Sequence, residues 1–432
     1  MTRSGGTIAV LYLYVLSAIG VLALASLLYN WLVPDQSQIA PHCLSANGSL
    51  DADESARALS ANLNAPLVDG NAIDALLNGD EIFPAMLEAI RQATDSVHLL
   101  TYIYWQGAIA HQFGEELCAA ARRGVRVRLL VDAVGGAKMA GGMVDDLKVA
   151  GCKFAWYRPL RWYNLGRFNN RTHRKVMVVD GRVGFTGGVG IAEVWTGHAQ
   201  DPGHWRDDHF RIRGPVVHYL QGSFAVNWRQ ATGEVLAGAS LFPDLRHEGD
   251  ARIVAVDAAP SVRISTIGFT YWLFSHAACE EIRITTPYYV PDPRLHLGLA
   301  SAAQRGVKVS LLVPGPHIDT QLVSRASKTY YRQLLQAGVV IHEYQPSMIH
   351  TKTVTVDGAY ALIGSPNFDT RSFGLNYEEA LVVYDRSLTQ TLNRSFENDL
   401  ANARQVTLGE VESWAPWTRV INHLARLLRA QL

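Results

Sequence analysis

The chain has 432 residues, 48% of them hydrophobic, enough for two ordinary domains or one large bilobal unit with a generous core. Basic and acidic residues balance at 39 each, so the formal net charge is zero and no global field draws the protein onto a polyanion. That composition argues against nucleic acid as a partner, since its binders carry a basic footprint.

From Ile8 to Val33 the chain is uncharged and rich in Leu, Val, Ile, Ala and Tyr, long enough for a helix across a bilayer core of about 30 Å. Ala23-Leu24-Ala25 imitates a signal-peptide cleavage site, but apolar sequence continues to the interfacial aromatics Tyr29 and Trp31. An uncleaved transmembrane anchor over residues 1–33 is therefore expected. Arg3 precedes it, whereas Asp35, Asp51, Asp53 and Glu54 follow, so the positive-inside rule puts the bulk of the chain outside the cytoplasm. Residues 34–65, rich in Ser, Asn, Asp and Ala, read as a tether.

Folding is expected to begin near Pro66. Apolar residues recur at helical spacing from Ile82 to Ala93, and Val97 to Tyr104 reads as a buried strand. Glu115 to Arg123 then predicts a helix and Val125 to Val131 a strand, which gives an alternating α/β pattern. Cys43, Cys118, Cys152 and Cys279 lack the spacing of a disulfide framework or zinc site. Cys118, Cys152 and Cys279 lie in apolar stretches and are expected to be buried small hydrophobes.

An internal repeat sets the architecture. Arg123-Gly124-Val125-Arg126-Val127-Arg128-Leu129-Leu130-Val131 parallels Arg305-Gly306-Val307-Lys308-Val309-Ser310-Leu311-Leu312-Val313. Ala150 to Phe154 is likewise matched by Ala337 to Ile341, and the strand at Leu100 to Tyr104 by Ile284 to Tyr289. Two α/β lobes packed against each other are expected, over residues 66–245 and 246–410.

Each lobe carries one copy of His-x-Lys-x4-Asp. The first is His173-Arg174-Lys175-Val176-Met177-Val178-Val179-Asp180, followed by Gly187-Gly188; the second is His350-Thr351-Lys352-Thr353-Val354-Thr355-Val356-Asp357, followed by Gly364-Ser365-Pro366-Asn367. One copy would arise by chance in roughly one such sequence in a hundred, and two at equivalent places in a duplication far less often. On a strand, positions i and i+2 share a face, so His and Lys project together. Such a pair suits a phosphodiester: lysine neutralises the non-bridging oxygens while histidine attacks phosphorus or delivers a proton. Lysine is scarce, confined to positions 138, 148, 153, 175, 308, 328 and 352, and two of these fall in the motifs.

These motifs resemble the phospholipase D superfamily, and bacterial cardiolipin synthases most. The stretches Trp205 to Pro215 and Gly364 to Glu378 share the resemblance, which runs from about residue 66 to the C-terminus. It implies duplicated phospholipase D-like lobes, each a mixed sheet flanked by helices, with both motifs facing one phosphate and no metal or other cofactor. It further implies a phosphohistidine intermediate, with His173 as nucleophile, His350 as acid/base, and Lys175, Lys352, Ser365 and Asn367 on the phosphate. The duplication makes the surroundings of the two histidines alike, so the reverse assignment stays open. Glu378 is expected to orient His173, and Asp207 to orient His350. Asp180 and Asp357 complete the catalytic motifs, as supports rather than proton donors.

One position departs from the family: Gly190 stands where the second lobe has Asn367. Gly187 and Gly188 are expected to offer backbone N–H groups to the anion instead. The resemblance implies a phosphatidylglycerol-like phospholipid substrate, cardiolipin as product, and a site in a bacterial inner membrane. Hydrolysis with water as acceptor stays open, and the intact His173, Lys175, His350 and Lys352 argue against a non-enzymatic lipid-binding scaffold.

Two further stretches point to lipid. Arg161, Trp162, Tyr163, Arg167, Phe168 and Arg171 form an aromatic-basic insertion before the first motif, suited to anionic head groups. Over residues 411–432, Trp414, Trp417, Val420, Ile421, Leu424, Leu427 and Leu428 recur at helical spacing, an amphipathic helix whose apolar face is expected to pack on its own domain.

Overall fold

The computed structural model describes residues 13–25, 50–159, 169–260 and 265–427. The chain divides into two units, Met1–Pro41 and His42–Leu432. In the first, residues 13–25 are helical and their large apolar side chains are exposed. Among the described residues no helix is long and apolar enough to cross a membrane. The rest of the expected anchor lies outside the described residues.

The second unit is built on strands β1 (Leu67–Leu77), β2 (Ser96–Thr101), β3 (Arg126–Asp132), β4 (Lys153–Tyr157), β5 (Val176–Val179), β6 (Val183–Gly187) and β7 (Asp208–Arg213). They are followed by β8 (Ala251–Ala258), β9 (Glu281–Thr285), β10 (Tyr289–Val290), β11 (Lys308–Pro314), β12 (Val340–Tyr344), β13 (Thr353–Val356), β14 (Tyr360–Gly364), β15 (Phe368–Asp369), β16 (Glu378–Tyr384) and β17 (Ala403–Val406). All but β10 and β15 join one 15-stranded sheet in the order β17-β12-β11-β9-β13-β14-β16-β8-β1-β7-β6-β5-β2-β3-β4. Outward from the centre, the two halves repeat one another strand for strand, and β17 is an addition at one edge.

The two expected lobes are the two halves of this sheet. The halves join edge to edge, β1 antiparallel to β8 with Leu67 opposite Val254 and Val68 opposite Ile253. Pairing there satisfies two strand edges that would otherwise be exposed. In each half the outer strands are parallel, β2-β3-β4 and β9-β11-β12, as crossover helices require. Helices Ala108–Arg122 and Gln321–Ala337 are two of these crossovers; the first buries Phe113 and Leu117 in the core that holds Val97, Leu99 and Leu129.

Three local expectations are revised. Part of the expected tether, Ala52–Leu63, is a helix with a full capping box between Asp51 and Glu54, and it buries Ser55, Ala56 and Leu59. Asp and Ser there cap and pack rather than solvate. Cys118 and Cys152 are buried, but Cys279 is exposed in the turn before β9. The C-terminal region forms two helices, Leu408–Ser413 and Pro416–Leu427. In the second, Asn422 and Ala425 are buried, whereas Trp417, Val420 and Leu424 are 67%, 58% and 58% exposed. Its apolar face therefore points away from the domain. Leu428 and Arg429 lie outside the described residues.

Candidate active site

Each His-x-Lys pair lies on the extended segment entering β5 or β13, where a two-residue spacing keeps both side chains on one face. These segments are tied crosswise to the opposite half. His173 donates its backbone N–H to Tyr377 O at 2.9 Å, and Tyr377 donates to Arg171 O at 2.8 Å. Likewise His350 donates to Arg206 O at 2.6 Å, and Arg206 to Met348 O at 2.9 Å. Tyr377 immediately precedes Glu378 and Arg206 precedes Asp207, so the backbone brings each acid to the other half's histidine.

The side chains complete both pairs. His173 Nδ1 donates to Glu378 Oε1 and Oε2 at 3.0 Å each, and His350 Nδ1 donates to Asp207 Oδ2 at 2.6 Å. A carboxylate acceptor fixes the proton on Nδ1 and leaves Nε2 free for chemistry. Glu378 also accepts from Ser365 Oγ at 2.6 Å and Asn376 Nδ2 at 3.2 Å. Asp207 accepts from Trp195 Nε1 at 3.0 Å and from the Asp208 backbone N–H at 2.8 Å.

Lys175 Nζ donates to His173 O at 2.8 Å and Lys352 Nζ to His350 O at 2.6 Å, so each ammonium curls back beside its own histidine. Lys352 Nζ also lies 3.0 and 3.2 Å from His350 Nδ1 and Nε2. Burial, reinforced by repulsion from Lys352, lowers Lys175 to about 7, while burial lowers Lys352 to about 8. His173 falls to about 4 through burial, against the pull of Glu378. His350 falls well below its ordinary value through burial and the charges of Lys352 and Lys175. Both imidazoles are therefore neutral near pH 7. Burial would raise Glu378, but His173 and its other donors bring it below the usual carboxylate value. The histidine of each motif is thus completed by an acid of the other half.

The chain matches the family model described as "Cardiolipin synthase, PLD-like domain" over residues 86–196 and 273–400. It is 35% identical to a cardiolipin synthase of Geobacillus kaustophilus over 356 residues, covering 82% of this chain and 71% of that one. It is 32% identical to the major cardiolipin synthase of Bacillus subtilis over 371 residues, covering 85% and 77%. The chain belongs to the cardiolipin synthase family of phospholipase D-like proteins. Solved structures share the fold. A phosphatidylserine synthase from Haemophilus influenzae aligns with a TM-score of 0.64 at 15% identity, covering 88% of this chain and 100% of that one. A polyphosphate kinase from Porphyromonas gingivalis gives 0.54 at 12% identity, covering 86% and 53%.

Within this cardiolipin synthase-family site, the motif aspartates stand apart from the reacting groups. Asp180 accepts the backbone N–H groups of Thr94, Asp95 and Ser96 at 3.0, 2.8 and 2.8 Å; Asp357 accepts those of Cys279, Glu280 and Glu281, each at 2.8 Å. They pin the starts of β2 and β9, at the far ends of β5 and β13 from the histidines. Asp180 lies five positions along the extended chain from Lys175, roughly 16 Å. Both carboxylates are occupied by backbone N–H groups.

The phosphate roles expected of the glycines are also revised. Gly188 donates its N–H to Asp208 O at 3.0 Å, so that group is spent on the sheet. What glycine supplies is room: a Cβ at Gly188 would stand 2.0 Å from Asp207 Oδ1. Gly187 is equally hemmed in by Asp208 O at 2.6 Å. Ser365 spends its hydroxyl on Glu378. Asn367 is buried, and its Oδ1 has no partner among the described residues.

The insertion before the first motif divides. Arg171 is buried, paired with Asp132 at 2.8 Å and donating to Tyr157 O and Arg158 O, so it braces the motif and does not face lipid. Arg161, Trp162, Tyr163, Arg167 and Phe168 lie outside the described residues. Sequence reasoning passed over two buried arginines that lock the halves together. Arg174 donates to Glu378 O, Ala258 O and Asn227 Oδ1 and pairs with Asp257. Arg206 pairs with Asp399 at 3.0 Å and with Asp208. Their signal was position: each directly adjoins a site residue.

Proposed function

We infer that the protein is a phospholipase D-type phosphatidyltransferase that makes cardiolipin from two phosphatidylglycerol-like lipids. The observation that carries this reading is the crossed arrangement of two histidines, each with Nδ1 held by a buried carboxylate, beside two buried lysines. The family relationship supplies the lipid. In the first step His173 Nε2 attacks the phosphodiester phosphorus, the bond to the glycerol oxygen breaks, and His350 gives that oxygen a proton. In the second, the terminal hydroxyl of another phosphatidylglycerol loses its proton to His350 as its oxygen attacks phosphorus, which releases His173 and cardiolipin. The balance is two phosphatidylglycerols to one cardiolipin and one glycerol.

Burial lowers His350, and the charges of Lys352 and Lys175 lower it further. A phosphodiester anion between Lys175 and Lys352 offsets that repulsion and moves His350 toward the protonated form the first step requires. The side-chain N–H group of the buried Asn367 supplies a further donor to the phosphate.

The partner is a membrane. Residues 1–33 anchor the chain in a bacterial inner membrane, with the catalytic unit on the extracytoplasmic side. The exposed Trp417, Val420 and Leu424 lie on a helix that carries Arg419 and Arg426 and no acidic residue, which suits an anionic lipid surface.

Full-length protein in phosphatidylglycerol vesicles should release glycerol and form cardiolipin without added metal. Phosphatidic acid alone would make it a hydrolase, and no turnover would leave a lipid-binding scaffold. His350→Ala should lower turnover by about 10³-fold and leave a phospho-adduct on residue 173, detectable by mass spectrometry. An adduct on His350 in a His173→Ala protein would reverse the roles.

A further inference from the structure

The two halves hold their orienting carboxylates by different means. In the second half a short polar side chain, Ser365, sits directly against Glu378, and Asn376 adds an amide. The equivalent of Ser365 is Gly188, which has nothing to donate, and the equivalent of Asn367 is Gly190. The space is not vacant. A Cβ on Gly190 would stand 2.8 Å from Ile103 Cβ and 3.0 Å from Trp195 Cζ3. Ile103 and Trp195 together fill the space beside Gly190.

From there Trp195 reaches both members of the Asp207–His350 pair. It is 1% exposed, its Nε1–H donates to Asp207 Oδ2 at 3.0 Å, and its ring meets the His350 imidazole edge-on with centroids 5.3 Å apart. Oδ2 is the same oxygen that accepts from His350 Nδ1. Trp205 packs on Trp195 at 5.0 Å and on His350 at 5.5 Å, which closes the far side. The turn Glu193–Trp195 is itself held, since Glu193 Oε1 accepts the Ile109 N–H at 2.7 Å at the start of helix Ala108–Arg122. At the position in the second half that corresponds to Trp195, Ser372 instead accepts the Asn367 backbone N–H at 3.1 Å.

We propose that Trp195 is a positioning residue for proton transfer: its indole N–H fixes the Asp207 carboxylate, and through it the orientation of His350, in place of the serine and asparagine that serve the other half. The inference rests on the assignment of His350 as acid/base. A buried donor to an ionised acceptor is stronger than a neutral pair, and its removal leaves one carboxylate lone pair without compensation. The indole is also rigid, so it sets direction as well as charge.

The test separates this role from plain packing by changing the leaving group. Trp195→Phe, in the full-length protein with lipid vesicles, should slow transfer from phosphatidylglycerol by about tenfold, the scale of one charge-assisted hydrogen bond. With a phosphatidyl ester of p-nitrophenol, whose leaving group needs no proton, the loss in the burst of nitrophenolate should shrink to less than about twofold. An equal loss on both substrates would overturn the proposal, because a packing defect disturbs both alike. If Trp195→Phe does not fold, benzothienylalanine at position 195 keeps the ring shape and removes only the N–H, with the same two outcomes. Mapping the phospho-adduct in the same samples tells failures apart. An adduct on residue 173 with leaving-group-independent loss refutes the role of Trp195, whereas an adduct on residue 350 refutes the histidine assignment on which it rests.

Discussion

The two halves of the site share a backbone and differ in polar chemistry. Strand order, the crossed His–backbone bonds, the curled lysines and the aspartates at the far strand ends recur in both halves. Around Glu378 a hydroxyl and an amide converge, and His173 is 12% exposed beside Tyr102; around Asp207 an indole and a backbone N–H converge, and His350 is enclosed by two tryptophans. Duplication therefore conserves the frame that aims the histidines, while the groups restraining each acid diverge. A nucleophile has to meet bulky lipid phosphate, and an acid/base benefits from a drier, more fixed setting, so the difference agrees with unequal roles.

The largest test of that comparison removes the charge of each orienting acid. Asp207→Asn and Glu378→Gln should each lower turnover by about 10³-fold, since an amide no longer fixes the Nδ1–H tautomer or supports a cationic ring. A large loss in only one of them would show that the two pairs do not both serve the reaction.

Next in size is the response to pH. His173 must be neutral to attack, so kcat/KM should rise as pH climbs through about 4. Lys175 and Lys352 must be protonated to hold phosphate, so kcat/KM should fall by up to about tenfold per pH unit between about 7 and 8 and by up to about a hundredfold per unit above that. Stability should move the other way. Both lysines sit below their ordinary 10.5 when folded, so the unfolded chain binds more protons between about 7 and 10.5 and denaturant midpoints should increase across that range. A basic limb that stays when Lys175→Met is made would shift the assignment to Lys352.

A smaller effect is expected from forcing symmetry. Gly190→Asn copies the second half, yet its Cβ would press on Ile103 and Trp195, so the protein should lose about 1–3 kcal/mol in urea unfolding without gaining phosphate affinity. Recovery of tighter vanadate binding instead would mean that the first half still has room for the donor. The smallest contrast lies in the supports. Asp180→Ala and Asp357→Ala each strand three backbone N–H groups and should cost about 1–3 kcal/mol each, by similar amounts, with the His173 and His350 adduct chemistry intact.

Much of the site was legible along the chain because its signals are local. His173 and Lys175 are two residues apart on an extended segment, and the Val-rich runs after both motifs become β5 and β13. What misled was equally local. Gly187 and Gly188 resembled an anion nest, but the nearness of Asp208 and Asp207 explains them better. Arg171 looked like part of a lipid-facing loop until Asp132, 39 residues earlier, claimed its guanidinium. The C-terminal helix had the right periodicity, but periodicity does not say which face turns inward, and here the small residue Ala425 and the polar Asn422 do.

By itself the sequence determined the duplication, the alternation of strands and helices, and the two His-x-Lys pairs, since each depends on spacing within a few residues or on comparison of one stretch with another. Tertiary structure alone decided that the halves share one sheet through β1 and β8, and that Ile103 and Trp195 fill the space beside Gly190. It also placed Glu378 on His173 and Asp207 on His350, 205 and 143 residues apart, an arrangement that only the family resemblance had suggested. The reason is physical: burial pattern reports a residue's local face, whereas the partner of a buried polar group is chosen by whichever distant backbone the strand order brings within 3 Å.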